Sequence, residues 1–205
     1  MIGCKANWTA ARRGAISCCA FWLVSFAIPV PGNASFTASF QPCELPVVAA
    51  GRSGVLARCQ VDFADSSGTV ELVGEAPDQV HEAVFRSYDD RTVQRIPVSA
   101  RPFIDPENVS IIVRDVNFDG KPDFGLRDFA LTGLNEPWQF WLWNAKRNRF
   151  VFHPALSRLP NPEVSTAAQV VRAHIVDQNS NITINTYTWQ NGELVLQGST
   201  RETAR

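Results

Sequence analysis

The segment DVNFDGKPDF, residues 115–124, concentrates oxygen-bearing side chains in a way that suits a bound cation. Its pattern DxNxDGxxD alternates carboxylate and amide groups, so a tightly curled loop turns them inward, and its glycine permits a sharp bend. The backbone carbonyl of the lysine can add a neutral oxygen. Ca²⁺ takes about 6 to 8 oxygen ligands of these kinds. The sequence therefore predicts a calcium site whose ligands are Asp115, Asn117, Asp119, the carbonyl of Lys121 and Asp123.

The residues around this loop distinguish it from an EF-hand. Leu126 stands at the twelfth position, where an EF-hand has glutamate, and the flanking segments IIVR and DFGL have the apolar character of strands. The loop is similar to the short calcium loops between strands in integrin-type β proteins. The alternative is an exposed acidic turn without metal, because Asp, Asn and Gly are also ordinary turn residues.

The chain shows no local signature of a catalytic centre. His81, His153 and His174 lack metal-ligand spacing, and no serine lies in a nucleophile-elbow motif. Paired carboxylates of a glycosidase would leave no local pattern, because they meet only in space. We therefore predict that the protein is not an enzyme.

The aromatic run WQFWLWN, residues 138–144, has two interpretations. In a strand, Trp138 and Phe140 lie on one face, and Trp141 and Trp143 lie on the other. Exposed aromatic rings could stack on sugars, which would make the protein a cell-wall or glycan-binding module with a structural calcium site. Burial of these rings in the core is the favoured interpretation, because both faces of a central strand in a sandwich are covered by other parts of the protein.

The first 34 residues have the features of a secretory signal peptide. They contain three basic residues and no acidic residue, and the apolar run Ala15–Val30 ends at PGNA. We predict cleavage after Ala34 and a periplasmic or secreted protein. The alternative is a retained membrane anchor, although the run is shorter than the about 20 residues that a spanning helix needs.

Removal of residues 1–34 would change the net charge from −1 to −4, because three basic residues leave. An acidic chain lacks the basic surface of nucleic-acid-binding proteins.

Cys43 and Cys59 remain, and in an oxidising compartment we predict that they form a disulfide. Two buried free thiols are the alternative.

Apolar residues in the remaining chain recur with period two, in short runs separated by turn residues. About ten such runs predict an all-β protein, an antiparallel β-sandwich or open barrel of about eight to ten strands, forming one domain over residues 35–205. Asn191 and Gly192 are predicted to form a tight hairpin turn. The stretch HPALSRLPNP, residues 153–162, has room for one helical turn, between Pro154 and Pro160.

Three motifs occur together between about Val109 and Leu196: DxNxDGxxD, FWLWNAKRNRFVFHPALSRLPNP and YTWQNGELVL. In this order they resemble bacterial export-compartment proteins related to the periplasmic inhibitors of invertebrate-type lysozymes, which include immunity proteins against peptidoglycan hydrolases. The resemblance implies a β-sandwich with structural Ca²⁺. It also implies a protein partner, a lysozyme-like enzyme whose cleft a loop of the inhibitor enters.

Related inhibitors present an SGxxY segment whose serine and tyrosine reach the catalytic carboxylate of the target. The equivalent stretch here is SNITI, in which Ser180 matches, Asn181 replaces the glycine and Ile184 replaces the tyrosine. The resemblance therefore implies a target-binding loop formed by Asn179, Ser180 and Asn181. We expect Asn181 to adopt the positive φ of the missing glycine.

Overall fold

A computed structural model describes residues 43–64, 66–77, 79–89, 91–102, 104, 109–129 and 133–203. The predicted signal peptide lies outside these residues. The described part of the chain is nearly all β, with thirteen strands and one short helix. The strands are β1 (Cys43–Glu44), β2 (Ser53–Asp62), β3 (Ser67–Glu75), β4 (Gln79–Ser87), β5 (Val93–Pro97), β6 (Ile111–Arg114), β7 (Asp123–Arg127), β8 (Trp138–Asn144), β9 (Arg149–Phe152), β10 (Pro162–Ser165), β11 (Val170–Val176), β12 (Ile182–Gln190) and β13 (Glu193–Glu202); the helix is α1 (Pro154–Ser157).

The strands form three antiparallel sheets, each a simple meander in chain order. Strands β1 to β5 form the first sheet, β6 to β9 the second and β10 to β13 the third. Short connections between antiparallel neighbours explain this order, since each strand pairs with the next one along the chain. The predicted all-β class is confirmed, the arrangement is sandwich-like, and the described strands do not close into a barrel. The helix is not long or apolar enough to cross a membrane.

The second sheet lies in the middle of the molecule, and both of its faces are buried. One face packs against the first sheet through Phe124, Trp141 and Phe150. The other packs against the third sheet and α1 through Phe140 and neighbouring apolar side chains. Large aromatic side chains account for much of this burial, as a sheet covered on both sides requires.

A glycine on β7 permits one of these aromatic contacts. Gly125 pairs with Phe140 across the β7–β8 ladder, and a Cβ atom on Gly125 would overlap the Phe140 ring. Because Gly125 has no side chain, the Phe140 ring can occupy this space against the sheet.

Several local predictions are confirmed. Cys43 pairs with Cys59 in the β1–β2 register and the two form a disulfide. Asn191 and Gly192 have φ of 52° and 80° and close the β12–β13 hairpin. The helix α1 begins at Pro154, and the Nδ1 atom of its N-cap His153 accepts a hydrogen bond from Leu156 N.

The number of strands differs from the predicted eight to ten. Strand β1 has two residues, and β10, with the sequence PEVS, has four and begins with a proline, which counts against assigning a strand from sequence. Both are defined by the longer strands with which they pair.

Candidate calcium loop and the β11–β12 turn

The predicted calcium loop connects β6 to β7 and is tightly curled. Phe118 and Gly120 have φ of 61° and 81°, both in the left-handed region. Glycine adopts this conformation readily, whereas for phenylalanine it is uncommon. The loop therefore holds one residue in a conformation that its own side chain does not favour.

Hydrogen bonds between carboxylates and backbone N–H groups organise the turn. Asp115 accepts from Asp119 N (3.1 Å) through Oδ1 and from Gly120 N (2.8 Å) through Oδ2. Asp119 accepts from Lys121 N (2.9 Å) and from Asn117 Nδ2 (3.0 Å). Each carboxylate oxygen keeps a lone pair after accepting one hydrogen bond, so these contacts leave oxygens that could bind a cation.

Asp123 forms the floor of the loop and has no exposed surface. Its Oδ1 accepts from Trp143 N (2.8 Å) and its Oδ2 from Val116 N (2.9 Å), which joins the loop to the central sheet. Burial raises the pKa of Asp123 from 3.8 to about 7, although the two hydrogen bonds lower it, and the charges of Asp119 and Asp115 raise it further. Asp115 and Asp119 are thus close enough to Asp123 for their charges to disfavour its ionised form.

Trp189 connects the loop to the third sheet. Its Nε1 donates to Val116 O at 2.9 Å, and its ring meets the His153 ring edge to face, with centroids 5.0 Å apart. Burial lowers the pKa of His153, and the charge of Glu193 raises it to a smaller extent. Residues from β12 and from the start of α1 therefore meet behind the calcium loop.

The structure places all five predicted calcium ligands in one loop but does not gather their side chains into a preformed cage. Within the described residues, no group of three or more His, Cys, Asp or Glu side chains is arranged to hold a metal. Asp115 and Asp119 accept hydrogen bonds from N–H groups of the turn itself, whereas Asp123 is buried below it and bonds to Val116 N and Trp143 N. The donor set fits Ca²⁺ by its chemistry, because it offers carboxylate, amide and carbonyl oxygens.

The predicted target-binding residues lie in the turn between β11 and β12. Asp177 organises this turn: its Oδ1 accepts from Asn179 N (2.8 Å) and Asn181 N (3.0 Å), and its Oδ2 accepts from Arg201 (3.0 Å). Hydrogen bonds from Asn181 lower the pKa of Asp177. Asn179 and Ser180 are exposed at the tip.

Two details of this turn differ from the prediction. The positive φ falls at Ser180 (60°), one residue before the expected Asn181. The Asn181 side chain donates to Asp177 at 3.2 and 3.0 Å, so its amide is used within the turn, and the residue directly precedes β12. Ile184 lies inside β12, paired with His174, so it is a strand residue and not part of the tip.

The two candidate sites lie at opposite ends of β12. Eight residues separate Asn181 from Trp189, which corresponds to about 26 Å along an extended strand. A ligand at the turn would not touch the calcium loop.

The aromatic run on β8 is part of the core, as the favoured interpretation predicted. Trp138, Phe140 and Trp141 are buried. Trp138 and Phe140 face the third sheet, and Trp141 and Trp143 face the first, which confirms the predicted alternation. The three buried rings are therefore not available to stack on a sugar, and the half-buried Trp143 packs against Phe63, Phe85 and Phe150.

Two residues that organise the candidate sites were not identified from the sequence. Asp177 starts a DxNxN pattern, in which a carboxylate bonds to backbone N–H groups two and four residues later, and this pattern is a recognisable turn signal. Trp189 has no comparable signal, because its contact with Val116 joins positions 73 residues apart. No protein-family model, curated protein or solved structure matches this chain.

Proposed function

We propose that this protein is an exported calcium-binding protein that inhibits a lysozyme-like peptidoglycan hydrolase by inserting its β11–β12 turn into the active-site cleft. An immunity role, in which the producing cell is protected from a secreted hydrolase, follows from such inhibition. The observation that carries the proposal is the preorganised turn, in which Asp177 fixes the backbone while Asn179 and Ser180 stay exposed.

Preorganisation favours inhibition because a rigid loop loses little conformational entropy when it binds. Arg201 of β13 and the Asn181 amide both hold the Asp177 carboxylate, so neighbouring strands anchor the turn. At the tip, the Ser180 hydroxyl would donate a hydrogen bond to a catalytic carboxylate of the hydrolase. Asn179 would supply a second polar contact, in place of the tyrosine of related inhibitors.

In this proposal Ca²⁺ stabilises the fold and does not contact the hydrolase. The oxygens of Asp115, Asn117, Asp119, Lys121 and Asp123 would hold the ion and relieve the repulsion among the three carboxylates. The loop would then fix the start of β7 to Trp143, and Val116, at the other end of the loop, to Trp189. Because the turn lies at the other end of β12, we expect chelation to lower the melting temperature without changing inhibition of the folded protein.

Inhibition of wall lysis by a panel of lysozymes tests the proposal. Ser180→Ala should weaken inhibition of a sensitive enzyme about tenfold, the effect of one lost hydrogen bond to a charged group. Ser53→Ala changes an exposed serine on β2 and serves as the matched control. If no enzyme is slowed by the wild-type protein, or if both variants inhibit equally well, the proposed mode of action is wrong.

A further inference from the structure

A polar groove with a volume of about 240 Å³ lies on the first sheet. Its side chains alternate along β2, β3 and β4 with residues of the buried core, so the groove occupies the face directed away from the second sheet. This face is remote in sequence from both candidate sites described above. The residues that line the groove include Arg58, Gln60, Thr69, Glu71, Arg86 and Tyr88.

Glu71 holds two guanidinium groups in place at the base of the groove. Its Oε1 accepts from Arg58 Nε (3.0 Å) and Nη2 (2.9 Å), and its Oε2 accepts from Arg86 Nε (3.1 Å). Glu71 is only 6 % exposed although it lies on an outer sheet face. A buried carboxylate with two charged partners is a rigid support for both of them.

In this cluster one buried carboxylate, Glu71, faces two guanidinium groups. Glu44 reaches Arg58 Nη1 at 3.5 Å, but its side chain is 79 % exposed and the pair is weak. The bond from Nε to Glu71 is the only hydrogen bond of the Arg86 side chain within the described residues, so its two terminal nitrogens remain available. They form a planar fork that suits a carboxylate.

The remaining groups of the groove suit a hydroxyl-rich ring. Gln60, Thr69 and Arg86 form one row across three strands, because Gln60 pairs with Thr69 and Thr69 with Arg86. At strand spacing the row is about 10 Å long, enough for one sugar residue. Tyr88, at the rim, is 87 % exposed and offers an aromatic face.

We propose that this groove binds a saccharide that carries a carboxylate. The carboxylate pairs with the free fork of Arg86, sugar hydroxyls bond to Thr69 and Gln60, and the apolar face of the ring lies on Tyr88. Glu71 is a positioning residue, because it acts only by orienting the two arginines. The site is independent of the calcium loop and of the proposed inhibition.

Titration of the purified protein with glucuronic acid, followed by NMR, tests this site. We expect saturable shifts of the backbone amides of Gly68, Thr69 and Ser87, with no such shifts from glucose, which lacks the carboxylate. Arg86→Lys keeps a cation beside Glu71 but removes the fork, and it should weaken binding about tenfold.

Two further variants make the outcome specific. Tyr88→Ala removes an exposed ring without disturbing the core and should weaken binding several-fold. Arg95→Lys is the matched control, since Arg95 pairs with Glu82 outside the groove, and it should leave binding unchanged. The proposal is overturned if glucuronic acid causes no saturable shifts, if acetate binds as tightly as glucuronic acid, or if Arg86→Lys and Arg95→Lys bind equally well.

Discussion

Asp123→Asn tests whether the buried carboxylate at the floor of the loop controls the stability of the protein. Asp123 has no exposed surface and accepts hydrogen bonds from Val116 N and Trp143 N, one on each oxygen. Asparagine has the same shape but one oxygen only, so one of the two backbone N–H groups would face an NH₂ group. An unsatisfied buried donor costs about 1–3 kcal/mol.

Asparagine does not titrate, so Asp123→Asn also removes the pH dependence that the Asp123 carboxyl gives to the free energy of unfolding. The substitution is therefore destabilising at one pH and stabilising at another. Without Ca²⁺, burial raises the pKa of Asp123 from 3.8 to about 7, so between these values the native state binds a proton that the unfolded chain releases. The contribution of Asp123 to stability is therefore greatest below the unfolded pKa and is lost as the pH rises through the folded pKa. At about 1.4 kcal/mol per pKa unit, the free energy of unfolding falls by about 4 kcal/mol.

Urea unfolding in the presence of a chelator measures both effects. At about pH 4 the wild type should be more stable than Asp123→Asn, and at about pH 8 the order should reverse, because about 4 kcal/mol exceeds the cost of the lost hydrogen bond. Asp62→Asn is the control: Asp62 is exposed and accepts from the side chain of Gln60. Parallel pH profiles for the wild type and Asp123→Asn would refute the reasoning.

Calcium should offset part of the loss of stability at high pH in the wild type. Ca²⁺ at 100 times its dissociation constant adds about 2.7 kcal/mol to the free energy of unfolding. Because Asp123→Asn lacks one anionic ligand, its gain at the same Ca²⁺ concentration should be much smaller. An equal gain in both proteins would exclude Asp123 as a ligand.

Three further substitutions address the loop and the core. Asp119→Ala should abolish the calcium-dependent rise in melting temperature. A rise equal to that of the wild type would support the alternative interpretation, an acidic turn without metal. Trp189→Phe removes the donor to Val116 O and should lower the free energy of unfolding in chelator by about 1 kcal/mol, measured by urea unfolding; an unchanged value would show that this bond contributes nothing. Gly125→Ala should cost about 1–3 kcal/mol by overpacking, whereas Gly198→Ala, with nothing within 4 Å of its added Cβ, should cost much less; equal thermal shifts would contradict the packing argument.

Local features of this protein could be predicted from the sequence because their causes are local. The period-two pattern follows from the geometry of a strand, and it correctly divided the four aromatic residues of β8 between two faces. Asn191 and Gly192 form a tight turn because both tolerate positive φ. The two prolines around α1 limited it to one turn.

Other features were decided by contacts between distant parts of the chain. The third sheet depends on pairing partners that no local pattern identifies. The same is true of the short strands β1 and β10. The positive φ at Ser180 has a local cause instead, because Asp177 accepts hydrogen bonds from the N–H groups of Asn179 and Asn181 and from the Asn181 amide. The prediction from motif spacing placed this φ one residue too late.

The calcium loop shows the same division between sequence and tertiary structure. The order of its oxygen-bearing residues is a property of the sequence, and so is the prediction of a cation. The burial of Asp123 is not, because residues distant in sequence hold the loop in the packed structure. Trp143 N donates to Asp123 from 20 residues away, and Trp189 donates to Val116 O from 73 residues away. Burial, not sequence, raises the pKa of this carboxylate, since only the packed structure removes it from water.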